Sequence, residues 1–239
     1  MEQVLICAPT AQVKNYCVKD WLLNINQFSY PNFKVVLFDT TPDKGENTDY
    51  LNLIASSLPL KYEFEAIAVP VGNRTLMERI CLGHNYCVHY AILENYKRFL
   101  HLESDVFPPS DIIEKLLCQK KSVIGALYYR DEGASRRLMV WRHIDRGANN
   151  VIGLNLGPKD DAWFVDGTTK QVGHVGLGAV MIDTSIFKQL MFRVKKDVDA
   201  SADTYFAEDC YRLNIGIFAD TSIICEHRNE SWGQFKIDY

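Results

Sequence analysis

Short apolar runs alternate with stretches of helical spacing through the first half of this chain, and that alternation restricts the fold more than any other feature. Val4-Leu-Ile-Cys-Ala8 reads as a buried strand broken by Pro9-Thr10, and Val13, Tyr16, Trp21 and Leu22 then recur at helical spacing. Lys34 to Asp39 predicts a second strand ending in an acid. Thr40 to Thr48 is rich in turn residues, and a helical stretch follows around Leu51 to Leu58. Glu65 to Val71 predicts a third, short strand. From Arg74 to Tyr96, apolar residues at 76, 80, 87, 88, 91 and 92 keep helical spacing, which makes this the longest helix. It delivers the chain into a strand at 98 to 103. Strand, helix, strand, helix implies an α/β fold with a mostly parallel sheet and helices on both faces.

The second half is patterned differently. Ser122 to Tyr129 predicts a strand, Arg130 to Arg137 a charged loop, and Leu138 to Arg142 another strand. Asn149 to Gly167 is rich in Gly, Asn and Asp and carries Trp163-Phe164, the composition of a binding lid. Three glycines, Gly173, Gly176 and Gly178, lead into a strand at Ala179 to Ile182, either as turn chemistry or to let the backbone approach a neighbour closely. Asp183 can cap the next helix. Asp203 to Gly216 predicts a helix with Asp203 as its cap and Gly216 as its terminator. On that helix Phe206, Cys210 and Leu213 form the buried stripe, Asp209 borders it, and Glu208 points nearly opposite. Ile217 to Cys225 is a last strand, followed by Glu226-His227.

The 239 residues carry no evident linker, so one domain spanning 1–239 is expected. A formal net charge of −4 argues against a general nucleic-acid surface. Val4 to Ala8 is too short for a signal peptide, and no stretch approaches the roughly 18 to 20 apolar residues of a membrane span, so the reading is a cytoplasmic protein. The cysteines at 7, 17, 81, 87, 118, 210 and 225 lack paired short spacing and read as reduced, buried small hydrophobes. Cys81, His84, Cys87 and His89 invite a zinc reading, but within a helix these positions drift around the axis rather than closing on one ion.

Chemistry concentrates at Arg98-Phe-Leu-His-Leu-Glu-Ser-Asp-Val-Phe-Pro-Pro109. The apolar run ends in Glu103 and Asp105, which project to the same side of a strand and can share one cation. The Pro-Pro pair stops the strand, and Ser110-Asp111 suits the first turn of a helix through Ile112, Ile113, Leu116 and Leu117. Acids at the C-terminal end of a buried strand stand where open α/β sheets bind ligands. Solvated turn acids are the alternative. His227, just past a strand end, is a candidate ligand for a divalent ion.

The order of these pieces, from Ala8-Pro9-Thr10 through Asp39, Glu103-Ser-Asp105, the glycines at 173 to 178 and Phe206-Ala-Glu-Asp209 to His227, resembles the GT-A glycosyltransferases, most closely the family 2-like members. The resemblance covers nearly the whole chain. It implies a Rossmann-like GT-A domain with a nucleotide-binding half (1–121) and a mixed acceptor-binding half (122–239). It further implies a hexosyltransferase-type enzyme that uses Mn²⁺ or Mg²⁺ and a nucleotide-sugar donor, most commonly UDP-linked, to modify a hydroxyl acceptor. Asp105 is then the direct metal ligand and His227 the late one. Glu103 departs from the commoner Asp, and either contacts the ribose or reaches the metal through water. Thr10, Asp39 and Ser104 fall among the nucleotide contacts, Arg74 or Arg79 approaches the diphosphate or base, and Asp209, with Glu208 beside it, is similar to the catalytic base. A bound ion stabilises the leaving diphosphate, and a carboxylate takes the acceptor proton.

Other readings stay open. A sugar-1-phosphate nucleotidyltransferase shares this logic, but only Ala-Pro-Thr stands after the first strand where its Gly-rich basic signature belongs. A non-catalytic nucleotide-sugar or carbohydrate-binding protein would keep the pockets without the base, and a metal-dependent hydrolase would use water as acceptor. Arg130, Arg136, Arg137, Arg142 and Arg146 form a basic cluster that suits an anionic acceptor such as a phosphorylated glycan or a modified nucleic acid, or else a solvated charged loop.

Overall fold

The structure is a computed structural model and describes residues 1–42, 49–132, 135–145, 151–155, 163–195 and 201–229. Its first half follows the alternation: β1 (Val4–Thr10), α1 (Asn15–Ile25), β2 (Phe33–Asp39), α2 (Asp49–Ser56), β3 (Glu63–Ala68), α3 (Leu76–Leu93) and β4 (Arg98–Leu102). These four strands lie in the order β3-β2-β1-β4, all parallel. Alternation within β1 serves two layers. Leu5 and Cys7 join one apolar cluster with Cys81 and Val88 of α3, while Val4, Ile6 and Ala8 join another with Trp21 of α1 and Leu51 of α2. Helices therefore cover both faces.

The second half comprises β5 (Val106–Phe107), α4 (Ile112–Cys118), β6 (Val123–Glu132), β7 (Ser135–Leu138), β8 (Val140–Asp145), β9 (Val151–Asn155), β10 (Thr169–Val172), β11 (His174–Val175), β12 (Ala179–Asp183), α5 (Ala202–Arg212) and β13 (Ile217–His227). β12 runs antiparallel between β4 and β6, β13 lies parallel to β6, and β10 closes the edge. β11, β8 and β9 form a separate small sheet. The outcome is a GT-A-type, Rossmann-like layout with a parallel first half and a mixed second half.

Several local expectations change. Instead of a charged loop at 130 to 137, β6 runs on to Glu132 and pairs with β7, placing Arg130 opposite Arg137 and Asp131 opposite Arg136. Part of the presumed lid, Val151–Asn155, is a strand held by β8. Ser201, not Asp203, is the N-cap residue of α5, and Asp203 falls in the first turn. Asn214, with a left-handed φ of 55°, ends that helix in place of Gly216. Asp183 precedes only a 3-10 turn, Thr184–Lys188, and its carboxylate binds Arg98 instead.

Candidate active site

The strand order reverses direction between β1 and β4, because β2 and β3 extend the sheet on one side and α3 carries the chain back to the other. At such a switch point the loops leaving neighbouring strands diverge and open a crevice. β1 ends at Thr10 and β4 runs into Glu103-Ser104-Asp105, so both strands end at this switch point. Thr10 Oγ1 and Ser104 Oγ lie 3.0 Å apart and tie the two loops together.

Asp105 is fully buried, and its oxygens face different groups. Oδ1 accepts from Lys14 Nζ at 3.0 Å, and the same ammonium lies 3.5 Å from Glu103 Oε2. Oδ2 lies 3.7 Å from His227 Nε2, beyond hydrogen-bond range. His227 Nδ1 is 3.0 Å from the Tyr129 carbonyl, which can only accept, so that nitrogen carries the proton and Nε2 holds the lone pair in the neutral ring. Burial alone would raise the pKa of Asp105, but the Lys14 ammonium holds it well below the carboxylate range. Burial likewise opposes the charge on Lys14, and Asp105 and Glu103 more than offset it, raising its pKa.

A carboxylate oxygen and an imidazole lone pair facing each other suit Mn²⁺ or Mg²⁺, whose remaining positions water and phosphate oxygens commonly fill. No cluster of three or more His, Cys, Asp or Glu that could hold a metal ion occurs among the described residues. The zinc reading at α3 does not survive: Cys81 and Cys87 are free buried thiols, and His84 bonds His101.

The floor beneath the acids is built by close approach. A Cβ on Gly178 would meet Tyr128 Cζ at 2.6 Å, and one on Gly176 would overlap the Tyr128 hydroxyl. Lacking Cβ atoms, these residues admit the Tyr128 ring, whose hydroxyl accepts from Gly178 N at 3.1 Å. The Gly178 carbonyl in turn accepts from Glu103 N at 2.9 Å. His101, two residues before Glu103, is 2.5 Å from the Leu177 carbonyl through Nδ1 and 2.8 Å from His84 Nδ1 through Nε2. Next to this floor, His174 of β11 stacks on Trp141 at 4.2 Å and places Nε2 3.4 Å from Asp203 Oδ2. Asp203 stands in the first turn of α5. Burial would raise the pKa of Asp203, yet His174 and Ser201 lower it to about 2.

Asp39 is buried at the end of β2, and its Oδ1 accepts from Thr41 N at 2.9 Å. Burial raises its pKa against the Thr41 hydrogen bonds. α3 crosses the strand ends closely, for a Cβ on Gly83 would meet Pro9 Cβ at 2.5 Å. Arg79, one turn earlier on that face, has a buried Nε with no hydrogen-bond partner among the described residues. Arg74 is more exposed and donates to the Val71 carbonyl at 2.8 Å.

Glu208 and Asp209 lie elsewhere. Arg193 clamps Asp209 with two 2.8 Å hydrogen bonds and reaches Glu208 at 3.3 Å. Asp209 lines a 350 Å³ pocket with Gln189, Leu190, Met191, Arg193, Arg212 and Leu213, a set without Glu103, Asp105 or His227. Of the expected stripe, Phe206 and Cys210 are buried but Leu213, past the end of the helix, is 38% exposed, and Asp209 is six residues further along the axis than Asp203. Sequence reasoning missed Lys14, Tyr128, His174 and Asp203. The signal for Asp203 was its place in the first turn of α5; Lys14 had none beyond following β1. Of the basic cluster, Arg136 covers the Tyr129 ring and lies 3.7 Å from Asp131, Arg142 is exposed, and Arg146 lies outside the described residues.

No protein-family model and no curated protein matches the sequence. Solved structures do match the fold. GalNAc-T7 with UDP, GalNAc and Mn²⁺ superposes with a TM-score of 0.64 at 8% identity, covering 95% of this chain and 44% of its own. S. aureus TarS 1-349 in complex with UDP-GlcNAc gives a TM-score of 0.57 at 12% identity, covering 95% and 59%. The chain thus spans about half the length of the structures it matches. No helix among the described residues is long and apolar enough to cross a membrane. With β1 and β4 meeting at the switch point of the sheet and these neighbours in three dimensions, the chain has the GT-A glycosyltransferase fold.

Proposed function

We propose that this protein is a metal-dependent glycosyltransferase that moves a hexose from a nucleotide-sugar donor, UDP-linked in our reading, to a hydroxyl acceptor. The observation that carries the proposal is the buried Asp105, facing His227 on one oxygen and Lys14 on the other, at the switch point of a GT-A sheet. Asp105 and His227 would hold Mn²⁺ or Mg²⁺. The ion would stabilise charge on the leaving diphosphate as a Lewis acid. Glu103, 23% exposed at its side chain and 3.5 Å from Lys14 Nζ, suits the ribose or a water on the ion. Thr10, Ser104 and Asp39 line the strand ends where a nucleoside would lie, and the buried Arg79 Nε suits a phosphate or base oxygen.

The base falls to Asp203 rather than Asp209. A general base must be ionised and within reach of the acceptor proton. Asp203 stays ionised and is 18% exposed at its side chain, with Ser201 Oγ and Thr204 N donating to Oδ1 and His174 beside Oδ2, whereas the Arg193 cation clamps both oxygens of Asp209. Trp141, stacked on His174, offers an aromatic wall suited to a sugar ring, which favours a glycan acceptor. Seven free thiols agree with a cytoplasmic setting.

The test is nucleotide release from UDP-, GDP-, CDP- and TDP-sugars with Mn²⁺ and simple saccharide acceptors, followed by chromatography. Wild type and Asp209→Asn are expected to release nucleotide from one donor, while Asp203→Asn binds that nucleotide and releases at least about 100-fold less. Loss in Asp209→Asn with retention in Asp203→Asn would reverse the base assignment. No release by wild type from any donor would reject enzymatic transfer.

A further inference from the structure

We propose that Lys14 is a built-in counter-cation of the Glu103–Asp105 pair and makes divalent-ion binding depend on the nucleotide diphosphate. The inference rests on the reading of this crevice as a nucleotide-sugar site. Its starting point is the charge inventory. Glu103 and Asp105 bring two formal negative charges, and Lys14 Nζ neutralises one of them from 3.0 and 3.5 Å. Lys14 is no flexible surface chain. It ends the 3-10 turn Gln12–Lys14 directly after β1, and its side chain is only 18% exposed. Cys17 Sγ lies 3.3 Å from the Lys14 carbonyl and 3.2 Å from the Ser104 carbonyl, so one buried thiol pins the lysine backbone to the acid motif.

A divalent ion entering alone meets a carboxylate already paired with an ammonium, in surroundings that screen charge poorly. Cation repels cation, and the ion gains little. A diphosphate reverses the balance, because its oxygens accept hydrogen bonds from Lys14 and coordinate the ion together. Ion and nucleotide then bind as one unit, each raising the affinity for the other by the same factor.

The experiment measures Mn²⁺ binding to the nucleotide-free protein by calorimetry and electron paramagnetic resonance, and separately UDP binding at saturating Mn²⁺. Lys14→Met is expected to bind Mn²⁺ at least about tenfold more tightly than wild type and UDP at least about tenfold more weakly. Lys14→Arg keeps the charge and should remain near wild type in both. Lys14→Gln serves as a second neutral variant, with circular dichroism and melting to establish that each is folded. Mn²⁺ affinity in folded Lys14→Met or Lys14→Gln that is unchanged or weaker than in wild type overturns the proposal, as does an absence of Mn²⁺ binding by all of them. If wild type binds no UDP, GDP, CDP or TDP while the Mn²⁺ affinities still separate as expected, the nucleotide-sugar reading fails but the counter-cation role of Lys14 stands.

Discussion

Acid should loosen this fold through the two histidines beneath the acid pair. His84 and His101 are buried and bonded to each other at 2.8 Å. The Leu177 carbonyl can only accept, so His101 Nδ1 carries a proton and its Nε2 accepts from His84. Both rings are therefore held neutral. Burial pushes both pKa values down, and for His84 the charge of its partner adds to the effect. Because the folded values lie below the unfolded one, the unfolded chain binds more protons as pH falls below it, and stability declines on acidification. An unfolded histidine titrating near pH 6.5 gains about 1.4 kcal/mol from its proton between about pH 7.5 and 5.5. Two rings thus cost at most about 2.7 kcal/mol over that interval, the limit for rings that stay neutral in the fold throughout it. Urea unfolding at about pH 7.5, 6.5 and 5.5 reads this directly, and the His84→Gln/His101→Gln double variant should lose most of the slope. Equal slopes in wild type and double variant, or wild-type stability that rises with acid, would refute the argument.

Gly178→Ala should cost about 1–3 kcal/mol in urea unfolding, since its methyl group would fall 2.6 Å from Tyr128 Cζ in a packed interior; a neutral substitution would mean that Tyr128 does not occupy this position. For Asp209→Asn, the part-exposed Arg193 pair supports a stability loss of about 1 kcal/mol or less alongside retained turnover, and a larger loss would mark Arg193 as part of the core.

The parallel half of the fold was legible because periodicity reports burial. Four apolar runs separated by segments of helical spacing leave few topologies, and Glu103 and Asp105 follow β4 as their place after an apolar run implies. The β6–β7 hairpin and β9 were not legible, since antiparallel edges are specified by partners far along the chain and by turns whose residues also suit loops. Helix phase placed Phe206 and Cys210 of α5 inside, but Leu213 is exposed, and Glu208 shares Arg193 with Asp209 instead of pointing away from it. Phase could not choose between the first turn, with Asp203, and the later turn that carries Asp209. Lys14 carried no pattern at all: one lysine in a turn is anonymous until the acids fold against it.

The central claim is tested most directly by calorimetric binding of UDP, GDP, CDP and TDP, each with and without Mn²⁺, to wild type and Asp105→Ala. The account predicts that one nucleotide binds tightly, and that its binding requires both Mn²⁺ and Asp105. Absence of metal-dependent binding to all four, or equal binding by Asp105→Ala, would contradict it and leave Glu103, Asp105 and Lys14 as a buried structural ion cluster.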